Sequence, residues 1–200
     1  MDEIKSAFEI AMERMENVKS DKSLLEAHDY KEKGKRIASA YLNEPGKKET
    51  EIGKNLKEFS GKQKEWVREG IFETLLNNVV LPIEAIDEDR VRTIEKGMQV
   101  LLPDKRFVSS VFQQILQFFN QYIQTKEQIH EQLESQFSQK LRQKDQELSG
   151  RLGTDVHLDP EQDPEFAAYF KQHISELSAQ YQEALDQGKE ELRKMFQQTR

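Results

Sequence analysis

From Asp104 to about Gly150 the chain contains no proline, and its apolar residues recur every three or four positions: Phe112, Ile115, Phe119, Tyr122, Ile129, Leu133, Phe137, Leu141 and Leu148. That spacing holds them on one side of a helix with about 3.6 residues per turn, so the stretch reads as a single long helix. At about 1.5 Å rise per residue it spans roughly 70 Å, about twice the width of an ordinary compact domain, and part of it is expected to extend beyond a globular body. The fold class expected from such an element is all-α.

The flanks supply the rest of the design. Ile4, Ala7, Phe8, Ala11, Met12, Met15 and Val18 form one stripe of a short docking helix over Glu3–Val18, opposite Glu9, Glu13 and Glu16. Asp21 is a good N-cap for a second helix to Leu42, which Pro45-Gly46 ends. Apolar residues from Trp66 to Val80, and from Val91 to Leu101, give two more core helices over Gln63–Leu81 and Glu88–Leu102, and Pro82 and Pro103 lie just beyond them. Asp87, and second to it Asp104, is the expected cap of the helix that follows.

Beyond Ile123 the long helix loses its aromatics and its apolar residues narrow to a seam. The seam steps by four from Ile129 to Leu133, Phe137 and Leu141, which departs from a heptad and locally unwinds a left-handed supercoil, so a regular zipper is not expected. Gly153 is the candidate C′ residue, and Asp163, Pro164 and Glu165 form a strong start for a last helix to about Gln197. The resulting expectation is a helical body of residues 1–122, with the C-terminal end of the last helix packing on it. Residues 123–200 are expected to form a protruding, coiled-coil-like antiparallel hairpin with its tip at 151–163.

Composition excludes several classes of function. Apolar residues make up 36% and charged residues 34% of the 200, which is lean for a compact globule and usual for long solvated helices. A net charge of -7 gives no general attraction to nucleic acid or anionic lipid, and the absence of cysteine removes disulfides, thiolates and Cys-based metal sites together. Met1-Asp2-Glu3-Ile4-Lys5 lacks the apolar core of a signal peptide, and no run approaches the ~20 apolar residues of a membrane span, so a soluble cytoplasmic protein is expected.

Motifs add little chemistry. The dipeptides Gly34-Lys35, Gly46-Lys47, Gly53-Lys54 and Gly61-Lys62 lack the spaced glycine and following hydroxyl of a phosphate loop. The basic run Lys31–Arg36 could touch nucleic acid, but residues 1–62 carry thirteen charges of each sign, and a salt-bridged, solvated face is the better reading. Glu127 and His130 form a Glu-x-x-His pair with Glu134 nearby, the only nameable metal ligands, yet a di-iron bundle needs a second copy of that motif, which the chain lacks. His28, His157 and His173 are isolated. No Gly-x-Ser-x-Gly elbow occurs, so no catalytic residue and no cofactor is assigned.

The long helix also carries a row of ten glutamines: Gln113, Gln117, Gln121, Gln124, Gln128, Gln132, Gln136, Gln139, Gln143 and Gln146. Glutamine is a good uncharged helix former at a half-exposed flank, which accounts for the residue type. A functional reading is a hydrogen-bonding surface beside the seam for a partner helix, with Gln121, Gln128, Gln132, Gln136 and Gln139 as partner-binding candidates. Residues 123–151 hold five basic and five acidic residues, which is not the pattern of an RNA-gripping arm.

The segments Glu3-Ile4-Lys5-Ser6-Ala7, Leu102-Pro103-Asp104-Lys105-Arg106, Gln117-Phe118-Phe119 and Leu158-Asp159-Pro160 through Asp163-Pro164-Glu165-Phe166 resemble those of a bacterial, all-helical family known only as a domain of unknown function. The resemblance covers nearly the whole chain and implies a bacterial source. It brings no activity, cofactor or site residue. The leading expectation is therefore a non-enzymatic interaction or assembly module that binds a protein partner or a second copy of itself. A metal-binding or enzymatic bundle through Glu127 and His130 is the first alternative, and weak nucleic-acid binding through Lys31–Arg36 the second.

Overall fold

The computed structural model describes residues 7–44, 49–154 and 163–199, with the side chains of 7–21, 49–50 and 139 left aside. Among these residues all regular structure is helical, in six elements: α1 (Ala7–Asn43), α2 (Glu49–Leu56), α3 (Gly61–Asn77), α4 (Glu88–Leu101), α5 (Lys105–Leu152) and α6 (Pro164–Gln197). The all-α class follows. No helix among the described residues is long and apolar enough to cross a membrane.

Several boundaries sit where local chemistry sets them. Asp104 Oδ1 accepts the Phe107 N–H at 3.0 Å and caps α5, while α4 begins directly after Asp87. At the other end of α5, Gly153 takes φ +67 and donates its N–H to Ser149 O at 2.9 Å, the left-handed cap that glycine adopts without strain. Two expectations need correction. Asp21 lies inside α1 and not at the start of a helix, because Val18 to Asp21 contains no glycine or proline to break the helical ladder. The helix expected to reach Leu81 stops at Asn77, where Asn78 donates its N–H to Leu75 O and its side-chain amide to Thr74 O. A short helix, α2, lies in a stretch to which no element was assigned; its Ile52 and Leu56, four apart, are both buried. Pro45-Gly46 and most of the expected tip, including His157 and Asp159-Pro160, lie outside the described residues.

The chain divides into two compact units. One holds the described residues up to Val79, Asp89–Val108 and Met195 onward; the other holds Val80–Glu88 and Ser109–Lys194. In the first unit α1 and α3 cross with their backbones in contact: a Cβ at Gly34 would stand 2.2 Å from Val67 O, and one at Gly70 only 2.1 Å from Lys31 O. Only a residue without a side chain fits at either position. Ala38, Val67, Ile71, Leu75, Ile94 and Met98, each 1% exposed or less, fill the space beside the crossing. Phe72 stacks on Phe196 at 4.2 Å, and Arg68 lies over the Phe196 ring while donating to Leu101 O at the C-terminal end of α4. Val80, expected in this core, is 60% exposed because it lies past the end of α3. Val100, also expected there, is 36% exposed.

In the second unit α5 and α6 pair through side chains. As numbers rise along α5, those of its partners fall: Phe118 meets Tyr181, Tyr122 meets Ser178, His130 meets Phe170, Phe137 meets Phe166 and Lys144 meets Asp163. The two helices therefore run antiparallel over this stretch. Leu133, Leu141, Phe166, Leu177 and Leu185 are buried between or beside these pairs. Ser178 donates its hydroxyl to Ile174 O, so Tyr122 is the donor in the 2.8 Å bond to Ser178 Oγ.

Candidate functional site

The start of α6 is tied by two lysines of α5 and by a cap of its own. Asp163 Oδ1 accepts the backbone N–H of Glu165 at 2.8 Å and Oδ2 takes the Lys144 ammonium at 2.7 Å, while Lys140 reaches both carboxylate oxygens of Glu165 at 2.6 Å. The Lys144 hydrogen bond, then the Glu165 N–H, hold the Asp163 carboxyl below its usual range, and the same bond raises Lys144. These groups fix a helix end and leave no open ligand position.

His130 sits in different surroundings from Glu127 and Glu134. Its ring stands edge-on to Phe166 and Phe170, at 5.7 and 5.3 Å, so the imidazole is part of an aromatic contact between α5 and α6, while both glutamates are exposed. No group of three or more His, Cys, Asp or Glu among the described residues could hold a metal ion. His28 lies 3.9 Å from Asp29 on the surface.

The basic run on α1 is paired through much of its length. Lys31 bridges to Glu69 across the α1–α3 crossing at 2.6 Å, Lys35 to Glu32 at 2.6 Å, and Lys33 sits over the Tyr30 ring at 4.3 Å. The Lys35 hydrogen bond lowers the Glu32 carboxyl in turn. A salt-bridged face is what the surrounding acids produce. Lys189, in the buried stripe of α6 between Leu185 and Leu192, was not singled out in the sequence; burial pushes its ammonium down, and Asp186 at 3.8 Å pulls the other way.

The glutamine row is the longest uniform surface of α5. Nine of the ten, Gln121, Gln128, Gln132 and Gln136 among them, are exposed; the side chain of Gln139 lies outside the described ones. Turning about 100° per residue, the row forms a broad exposed face of α5, with Gln136 about 60° from Leu133 and Gln128 about 180° from Phe137. Its ten members advance 33 residues in nine steps, about 3.7 per step, so the row follows the helix nearly straight.

A second surface was missed in the sequence. Val80 and Ile83, 60% and 83% exposed, stand at an open groove of about 530 Å³ whose other side carries Tyr122, Lys126 and Ile174, and the Lys126 ammonium donates to Ile83 O. The Asn77-Asn78 pair and Pro82 were the available signal that the helical pattern ends before Val80.

Comparison with curated proteins and with solved structures gives no match. Residues 53–194 match the pattern of a family of unknown function, and since these are more than two thirds of the chain, the protein belongs to that family, DUF6657.

Proposed function

We propose that this protein is a non-enzymatic interaction or assembly module of a bacterial cytoplasm, and that the glutamine face of α5 is where it meets a protein partner. One observation carries the reading: nine exposed glutamines in a line along α5. Carboxamides both donate and accept hydrogen bonds and carry no charge, so a row of them recognises polar protein surface without attracting phosphate or lipid. The net charge of -7 agrees with a protein partner rather than a polyanion. The packing of His130 among phenylalanines favours no catalytic or metal reading.

A photoreactive residue placed at Gln128, and separately at Glu183 on the exposed side of α6, tests the reading in the cells that make the protein. The expected result is a discrete protein adduct from position 128 and none from 183. No adduct at 128, or equal adducts at both, would remove the support for this face.

A further inference from the structure

We infer that the occupant of the glutamine face is a second copy of the same face, paired antiparallel about a two-fold axis near position 130; this rests on the reading above and names its partner. From Gln117 to Gln143 the spacings run four, three, four, four, four, three, four, the same from either end, with the midpoint at position 130. A two-fold axis there sets Gln128 opposite Gln132, Gln124 opposite Gln136, Gln121 opposite Gln139 and Gln117 opposite Gln143, so that each glutamine of one copy meets a glutamine of the other. Each carboxamide carries both donors and acceptors, which makes the row complementary to itself.

Charge points the same way. The chain is acidic overall, so most approaches between two copies bring like charges together, whereas this strip is largely neutral. Glu131 and Arg142 lie at its margin and are the charged residues nearest to it. Area sets the strength. The paired strips would be about 40 Å long and 10 Å wide, on the order of 800 Å² in total, below the roughly 1,000 Å² of a stable interface, so the pairing is reversible and weak.

The chain has no cysteine, so single introduced thiols report the geometry cleanly. A disulfide needs Cα atoms within about 7 Å, and in the antiparallel pair two copies of position 117 stand about 40 Å apart. Mixing Gln117→Cys with Gln143→Cys under mild oxidation is expected to give the mixed dimer at least about tenfold faster than either variant alone, in line with the effective concentration that pairing supplies. Adding Gln128→Glu and Gln132→Glu to both chains, with the helix content unchanged by circular dichroism, is expected to abolish the difference. Faster linkage of each single variant with itself would show parallel pairing and overturn the proposal. Linkage of all combinations at one collisional rate would also overturn it. In that event a photoadduct from Gln128 to a different protein would leave the interaction reading standing with another partner, and no adduct at all would remove both.

Discussion

The α1–α3 crossing and the α5–α6 pair hold helices together in opposite ways. In the first, two glycines bring backbone against backbone, and the carbonyls of Val67 and Lys31 occupy the places where Cβ atoms would be. In the second, aromatic rings and leucines keep the backbones apart: Phe118 on Tyr181 at 4.8 Å, Phe137 on Phe166 at 5.7 Å, His130 on Phe170 at 5.3 Å. A backbone contact cannot yield to an added atom, whereas a side-chain seam can repack around a lost or altered one. The difference also decides what is left for function. At the crossing the basic run of α1 is spent on Glu69, Glu32 and Tyr30, while the pair leaves the far side of α5 open along its length.

The sharpest way to break the comparison is one methyl group. Gly70→Ala places a Cβ 2.1 Å from Lys31 O and 2.9 Å from its carbonyl carbon, so α1 and α3 must separate. The expected loss is about 3 kcal/mol or more, read as a fall in the denaturation midpoint. Gly34→Ala is expected to cost a similar amount, and the two together less than their sum, since the first separation makes room for the second methyl. A midpoint shift below about 0.5 kcal/mol for either would mean that the helices are not in backbone contact.

In the pair, Leu133→Ala removes a buried side chain that is 6% exposed and is expected to cost about 2–3 kcal/mol, toward the lower end for such changes because neighbouring rings can settle into the space. Melting curves of Leu133→Ala beside Leu133→Met separate cavity from shape: the methionine variant is expected within about 1.5 kcal/mol of the parent.

Smaller again is the helix start. Asp163→Ala loses the cap on Glu165 and the partner of Lys144, with about 1 kcal/mol expected from the cap. The folded Asp163 carboxyl lies below its unfolded value near 3.8, so its contribution is present above that pH and is lost as pH falls through the folded value. Lys144 is raised, so its contribution is present below its unfolded value near 10.5 and is lost as pH rises through the folded value. Parent and Asp163→Ala stabilities, measured by denaturation at pH 6 and again below pH 4, are therefore expected to converge on acidification. A constant gap would place the effect in packing instead. The smallest expected effect is on the glutamine face, where Gln128→Ala with Gln132→Ala is expected to change the monomer's stability by less than about 0.5 kcal/mol, because exposed positions carry little of the fold.

How legible these features were in the sequence follows the same divide. Local chemistry announced itself: Asp104 and Asp163 as caps, Pro164 at the first helical position, Gly153 as C′, and the seam from Tyr122 to Leu141 all follow from short-range pattern. Tertiary partners did not. Gly34 read as half of a Gly-Lys dipeptide, since nothing near it in the sequence says that Gly70 lies across from it. His130 read only as half of a Glu-x-x-His pair because the phenylalanines beside it belong to another helix. The glutamine row was visible as a row, because its spacing is a local pattern. Val80 shows the reverse error, an apolar residue assigned to the core although the asparagines before it end the helix.

The most direct test of the central claim, that the open face of α5 pairs with a second copy of itself, is its mass in solution by light scattering across a concentration series reaching several hundred micromolar. The account expects the weight-average mass to rise from 23.5 kDa toward twice that value. It expects Gln128→Glu with Gln132→Glu to hold the protein at the monomer mass, while an equivalent charge placed on α6 at Gln172 leaves the rise intact. A parent that stays at 23.5 kDa throughout, or a rise that the double glutamate variant does not change, would contradict it.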